Sequence, residues 1–298
     1  MLTLLTVADA SQPQSILSGT RPLSSLHIIL AQTEQQYTAA QYFVLPYEQH
    51  CCSLMQKIIA REEKLYLIAE QNRICGVFYF SQGGTLLPCL PRTSRELADM
   101  LQQFFHKKHI FCINGKSDYV TFLNKLLTDN EDHELADTRF YYLMEHEYQI
   151  HCNLPPAHTL EQCPETKADV LFPMHLSYLM EEVRSPVSTP DPIEERTVLK
   201  NILHTQHAVA IFKNGSPVAK AHTNAQGVNY VQIGGVYTEK QSRRQGFAGM
   251  LVSNIAEWAQ QHNKKTVLFV DKYNSTALHA YENAGFTIQD NFIISYFV

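Results

Sequence analysis

The sequence predicts an α/β (α+β) chain built from two copies of one unit in tandem, and three observations carry this. The first is a pair of hairpin signals. "LYLIAEQNRICGVFYF" (Leu65–Phe80) and "AVAIFKNGSPVAKAHT" (Ala208–Thr223) each read as strand, polar turn, strand, the second around Asn214-Gly215. The second is what flanks them. Each hairpin follows a helical pattern, "EQHCCSLMQKIIAREE" or "IEERTVLKNILHTQ", and precedes a short strand with an amphipathic helix. Those pairs are "TLLPCLP" with "SRELADMLQQFFHK" and "YVQIGGVYT" with "FAGMLVSNIAEWAQQ". The third is that a hydrophobic strand, "HIFCING" or "TVLFVD", and a further helix close both series.

Length and composition agree with two units. The chain has 298 residues, 45% of them apolar, which is core material for about two domains. The proline-rich and polar stretch "HCNLPPAHTLEQCPETK" (His151–Lys167) suits a boundary, placed as 1–155 and 156–298. "RSPVSTPDP" (Arg184–Pro192) reads as a loop between the first two helices of the second unit and as substrate-binding surface. Asp191 is its expected N-cap and Pro192 the first helical residue.

A net charge of −5 argues against nucleic acid as a partner. No apolar run reaches a membrane-spanning length, and the N-terminus lacks a basic region of the signal-peptide type. The seven cysteines are odd in number and stop at Cys163, so a reducing cytoplasm is expected rather than a disulfide framework. Cys51 and Cys52 read as buried packing. "HEYQIH" (His146–His151) spaces its histidines five apart with strand-like flanks and is not a metal motif, so no metal is expected.

Chemistry concentrates in "YTEKQSRRQGFAGML" (Tyr237–Leu251). A strand-like run precedes it, and from Phe247 the positions Phe247, Leu251, Ile255, Trp258 and Ala259 recur at helical spacing. The loop therefore ends in the first turn of a helix, whose N–H groups lack internal partners and face anions. Gly246 lets a phosphate approach the main chain, Ala248 is small, and Arg243 and Arg244 add donors and charge.

The run "IGGVYTEKQSRRQGFAGMLVSNIAEWAQ" resembles the acetyl-CoA-binding motif of the GNAT superfamily of N-acetyltransferases, with Arg243-Arg244-Gln245-Gly246-Phe247-Ala248 in the motif positions. "LFVDKYNSTALHAYENAGF" is similar to the strand and helix that follow it in that family. The resemblance implies a mixed, mostly antiparallel sheet flanked by helices in each unit. It implies that amides from about Arg244 to Gly249 hold the CoA diphosphate. It further implies that Val236, Tyr237 and Thr238 pair with pantetheine, that Asn274 contacts the cofactor, and that Tyr281 protonates the departing thiolate. Asn274 also suits a helix N-cap and Gly285 a helix end.

The whole arrangement resembles tandem GNAT proteins with a degenerate N-terminal copy. The loop equivalent there, "LPRTSRELADML", offers Pro91 and Arg92 but no glycine, so that copy is expected to serve structure, dimerisation (a homodimer) or substrate selection. Many relatives carry a glutamate on the strand before the loop, where this chain has Gln232. Glu181 and Glu182 are the candidate replacement bases, with His222 a further one, and a water or a low-pKa amine would remove the need. The expected function is transfer of acetyl from acetyl-CoA to a primary amine, of a small molecule or a peptide, by direct attack in a ternary complex. A non-catalytic acyl-CoA sensor or scaffold is the alternative reading, and transfer of another acyl or aminoacyl group a third.

Overall fold

The computed structural model describes residues 26–71, 73–129, 133–148, 153–183 and 190–298. The same series of elements runs twice. The first half comprises β1 (His27–Leu30), α1 (Glu34–Val44), α2 (Glu48–Ile59), β2 (Leu65–Glu70), β3 (Arg73–Phe80), β4 (Thr85–Cys89), α3 (Arg95–Phe105), β5 (Cys112–Lys116), α4 (Ser117–Thr128) and β6 (Leu135–His146). The second comprises β7 (His158–Gln162), α5 (Ala168–Tyr178), α6 (Pro192–Thr205), β8 (Ala208–Lys213), β9 (Ser216–Gln226), β10 (Tyr230–Thr238), α7 (Phe247–Gln261), β11 (Lys265–Asp271), α8 (Ser275–Glu282) and β12 (Phe286–Phe297).

Local chemistry explains most boundaries. Thr33 and Gln36 form a capping box on α1. The Asp191 side chain accepts the Ile193 N–H with Pro192 at the first helical position, and Asn274 accepts the Ala277 N–H. Asn214 and Gly215, at φ 50° and 83°, form the tight turn between β8 and β9. β5 begins at Cys112, later than the apolar run suggested, because Phe111 and Cys112 donate their N–H groups to the Gly84 carbonyl instead of a strand partner. His146 closes β6, while Gln149 to His151 of the same motif lie outside the described residues.

All twelve strands form one sheet in the order β1-β2-β3-β4-β5-β12-β6-β11-β10-β9-β8-β7. β4/β5 and β10/β11 pair in parallel and the rest antiparallel. The mixed, mostly antiparallel sheet flanked by helices expected for each unit is present, and the final strands join the two units' sheets into one. β12 lies between β5 and β6, and β6 lies between β12 and β11. Each half therefore receives the last strand of the other as its inner strand. The exchanged pair is laddered along its length, from Phe286 opposite His146 to Phe297 opposite Leu135. The division after residue 155 falls between β6 and β7, so it separates two repeats that complete one sheet.

α2 touches β4 and β5 of its own half and β9 and β10 of the other. Those strands are far apart in the sheet order, so the sheet must curl around this helix. Glu48, fully buried, binds the two halves there. Its Oε1 accepts the N–H groups of Asn229 (2.9 Å) and Tyr230 (3.2 Å), and its Oε2 the Asn229 side-chain amide (3.2 Å). Gly227 is needed opposite, because a Cβ would stand 2.0 Å from Glu48 Oε1. Burial still raises the Glu48 pKa despite these donors. Among the described residues no helix is long and apolar enough to cross a membrane.

Replacing Glu48 with Ala strands these donors in the interior and should cost about 2–4 kcal/mol. A fall in the urea midpoint at unchanged m-value checks it, and an unchanged midpoint would show that the clamp contributes nothing.

Candidate active site

The loop from β10 to α7 is shaped by two residues in the left-handed region, Arg244 (φ 63°) and Gly246 (φ 79°). Gly246 occupies the N-cap position of α7 and offers no side-chain cap. Among the described residues, no acceptor takes the N–H of Arg244, Gln245, Gly246, Phe247, Ala248 or Gly249. The first turn of α7 carries no acidic residue. Six donors thus stand open at the positive end of a fifteen-residue helix, an arrangement that favours a diphosphate. The first half differs at the matching place. Ser94 caps α3 by accepting the Leu97 N–H, and Glu96 sits in the first turn. Its own side-chain acceptor and its negative charge make that helix end unsuited to phosphate.

Next to the loop, β10 and β11 pair only from Tyr230–Lys265 to Ile233–Leu268. Beyond Gly234 the two strands part, and β10 bulges against β9 between Gly234 and Tyr237. Both glycines of the bulge are required by contact. A Cβ on Gly234 would meet the Asn224 amide at 2.0 Å, and one on Gly235, whose φ is 58°, would meet His222 Nε2 at 2.0 Å. The gap leaves the β11-facing main chain of Val236, Tyr237 and Thr238 without a strand partner, as an extended arm such as pantetheine requires. In the first half, β4 and β5 part after Leu86, but Pro88 packs on Gly115 across that opening.

Titratable groups converge on the bulge. Lys220 of β9 is 3% exposed, yet no carboxylate pairs with it among the described residues. Its Nζ donates to the Gly235 carbonyl (3.0 Å) and lies 4.6 Å from the centre of the Tyr178 ring. Burial lowers its pKa to about 7. His222 is held neutral, at about 3, by burial and by Lys220; with Nδ1 donating to the Thr223 carbonyl (3.1 Å), its Nε2 is an acceptor against Gly235. His175 falls to about 4 for the same two reasons, and Tyr178 is pushed up to about 12 by burial first, then by Glu182.

The predicted catalytic residues separate here. Tyr281, on α8, is buried, and its hydroxyl makes no hydrogen bond among the described residues. Burial raises it well above an ordinary phenol, and Tyr178 and Glu182 add to the rise. Glu181 is taken up by Arg243 (2.7 Å), Tyr237 (2.9 Å) and Lys240 (3.3 Å) and is held down to about 2, chiefly by Arg243. A carboxylate so stabilised is a poor proton acceptor, so Glu181 fixes the loop instead. Arg243 is correspondingly committed, to Glu181 and to the Thr238 carbonyl (3.0 Å), and Arg244 is the arginine left open to an anion. Glu182 is exposed on its surface side but has its carboxyl pKa raised by partial burial. Both glutamates lie on a π-helical turn, Leu179–Val183, that extends α5. Asn274 uses its oxygen as a cap, leaving its amide hydrogens for a ligand. Residues 184–189 of the expected substrate loop lie outside the described residues. Sequence reasoning missed Lys220; the only signal was a lysine between Ala219 and Ala221 in a strand of small and apolar residues.

Comparison with known proteins bears on the family of one segment and on the fold. Residues 176–286 match the model of the acetyltransferase (GNAT) family. No curated protein is significantly similar in sequence. A Drosophila protein of solved structure is similar to the chain with a TM-score of 0.67 at 11% identity, over 92% of this chain and 99% of that one. A GNAT-family acetyltransferase from Colwellia psychrerythraea gives 0.59 at 13% identity, over 91% and 99%. A tandem GNAT protein from the clavulanic acid biosynthesis pathway gives 0.57 at 10%, over 91% and 98%. The fold is the tandem GNAT fold.

The Lys220 pKa has a stability consequence. Its folded pKa lies below the ordinary 10.5, so between about 7 and 10.5 the unfolded chain binds a proton that the folded chain does not. Stability must rise with pH in that window, by up to about 1.4 kcal/mol per unit, relative to a Lys220→Met variant. Urea titrations of both proteins across the window check it; parallel curves would mean the lysine is charged when folded.

Proposed function

We propose that this chain, of tandem GNAT fold with a GNAT-family domain over residues 176–286, is an N-acetyltransferase that moves acetyl from acetyl-CoA to a primary amine in a ternary complex. The observation that carries the reading is the row of six unpartnered amides, Arg244 to Gly249, opening beside the unpaired end of β10. Those amides and Arg244 would hold the diphosphate, the main chain of Val236 to Thr238 the pantetheine arm, and the Asn274 amide a further polar group. Acetyl-CoA supplies the acetyl group activated as a thioester.

The residues around the gap supply the proton transfers. As the amine nitrogen bonds to the acetyl carbon and the carbon–sulfur bond breaks, the amine must lose a proton and the sulfur must gain one. Tyr281 keeps its proton across the neutral range and is the proposed donor to sulfur. Gln232 cannot accept a proton, and Glu181 is a weak base. Lys220, with its pKa near 7, is the proposed acceptor, and Glu182 is the carboxylate that competes for the role. An acceptor amine of low pKa makes the least demand on either: neutralising an α-amine at pH 7 costs about 1 kcal/mol, a lysine about 4–5. The cysteine usage supports a cytoplasmic setting.

Free thiol released from acetyl-CoA in the presence of an amine panel tests the activity. Tyr281→Phe should lower kcat by about 10²-fold or more while sparing acetyl-CoA affinity. A sensor would bind acetyl-CoA, release no thiol and lose nothing on that substitution. If Lys220 is the base, the wild-type rate rises with pH through about 7 as the lysine becomes neutral, and Lys220→Met abolishes that limb. A limb that survives in Lys220→Met and disappears in Glu182→Gln assigns the role to Glu182.

A further inference from the structure

Where α2 crosses from one half of the sheet to the other, it roofs a cavity of about 330 Å³. Its floor belongs to the exchanged middle of the sheet, and its wall to β9 and β10 of the second half. That volume lies at the small end of the range for small-molecule pockets.

The polar groups facing the cavity are incompletely used. Gln232 is 9% exposed; its Oε1 accepts the Ser53 hydroxyl (3.1 Å), and its Nε2 has no partner among the described residues. The Asn224 amide is unpartnered among the described residues and lies against Gly234, at the bulge where the gap begins. The unused Gln232 donor and the unpaired Asn224 amide, which can both donate and accept, call for a ligand with matching acceptor and donor groups. Phe269 and Phe292, stacked at 3.8 Å between centroids, give a flat apolar wall.

Charge is as informative. No Asp, Glu, Lys or Arg is among the lining residues. His50, which lines the cavity from α2, is turned to Asp290 (2.8 Å), itself paired with Lys116 (2.9 Å), and burial holds it below the usual imidazole range. A lysine ammonium entering here would lose its hydration with no carboxylate to replace it.

We infer that this cavity is the acceptor pocket, built jointly by both halves, and that it takes an uncharged, amide-bearing aromatic amine with its nitrogen at the Asn224 end. The assignment to an acceptor rests on the transferase reading above. The degenerate half then contributes Ser53 and His50 to recognition, and Gln232, at the position where many relatives carry a glutamate, recognises rather than catalyses.

Phenylalaninamide is the probe, at about pH 8.5, where an α-amine is mostly neutral. Its binding to the free protein is read by ligand-observed NMR, and acetyl-CoA binding by calorimetry. Gln232→Leu and the surface variant Asn224→Trp should each weaken the probe by roughly tenfold, with acetyl-CoA affinity unchanged within about twofold. Nα-acetyl-lysinamide should bind at least about tenfold more weakly than the probe to wild type. Absence of probe binding to wild type, or probe affinity in either variant equal to that of wild type, overturns the inference. If the probe binds through Gln232 and Asn224 but acetyl-CoA does not bind, the pocket stands as a neutral-amide site and the transferase reading falls.

Discussion

The main-chain ladder between β6 and β12 is the constraint on which the rest of the molecule depends. Each strand is the last of its own repeat and an inner strand of the other's sheet. Hydrogen-bonded on both edges, neither can be withdrawn without exposing two rows of main-chain polar groups. The repeats are therefore joined in one sheet. That sheet must curl, and its curl brings α2 of the first half against β9 and β10 of the second. The Glu48 clamp on the β9–β10 turn secures this approach, in a place where an unpaired carboxylate would be costly.

From this joined frame follows the asymmetry between repeats. Both have a parallel strand pair that parts partway, a topology that exposes main-chain groups. In the second half the opening is kept by the Gly234-Gly235 bulge and ends at an uncapped, glycine-led helix. In the first, Pro88 packs across it and Ser94 caps the helix. Three small differences, in a proline, a serine and a glycine, separate a helix end that can receive an anion from one that cannot. The first half's α2 roofs a cavity facing the second half's strands.

The gap in the sheet also explains how groups from opposite faces meet. α8 carries Tyr281 in the core with α7, whereas Tyr178 ends α5 with its ring over Lys220 of β9. A closed sheet would insulate them from one another. Glu182 raises the pKa of both tyrosines, and Tyr178 that of Tyr281. Low polarity there keeps the tyrosines protonated and a lysine near neutrality at physiological pH.

The sequence by itself determined the local elements and the glycine-led loop before α7. Caps at Asp191 and Asn274, the Asn214-Gly215 turn and the glycine-led start of α7 are each set by a few adjacent residues, so they are legible in order along the chain. It also carried the repeat, because periodicity survives when identity does not. Only the tertiary structure decided the strand exchange, the burial of Lys220 and the loss of Glu181 to Arg243. A strand's partner is selected by packing across more than a hundred residues of sequence. A side chain's proton affinity is fixed by neighbours that the chain supplies from distant segments, and no local pattern encodes either.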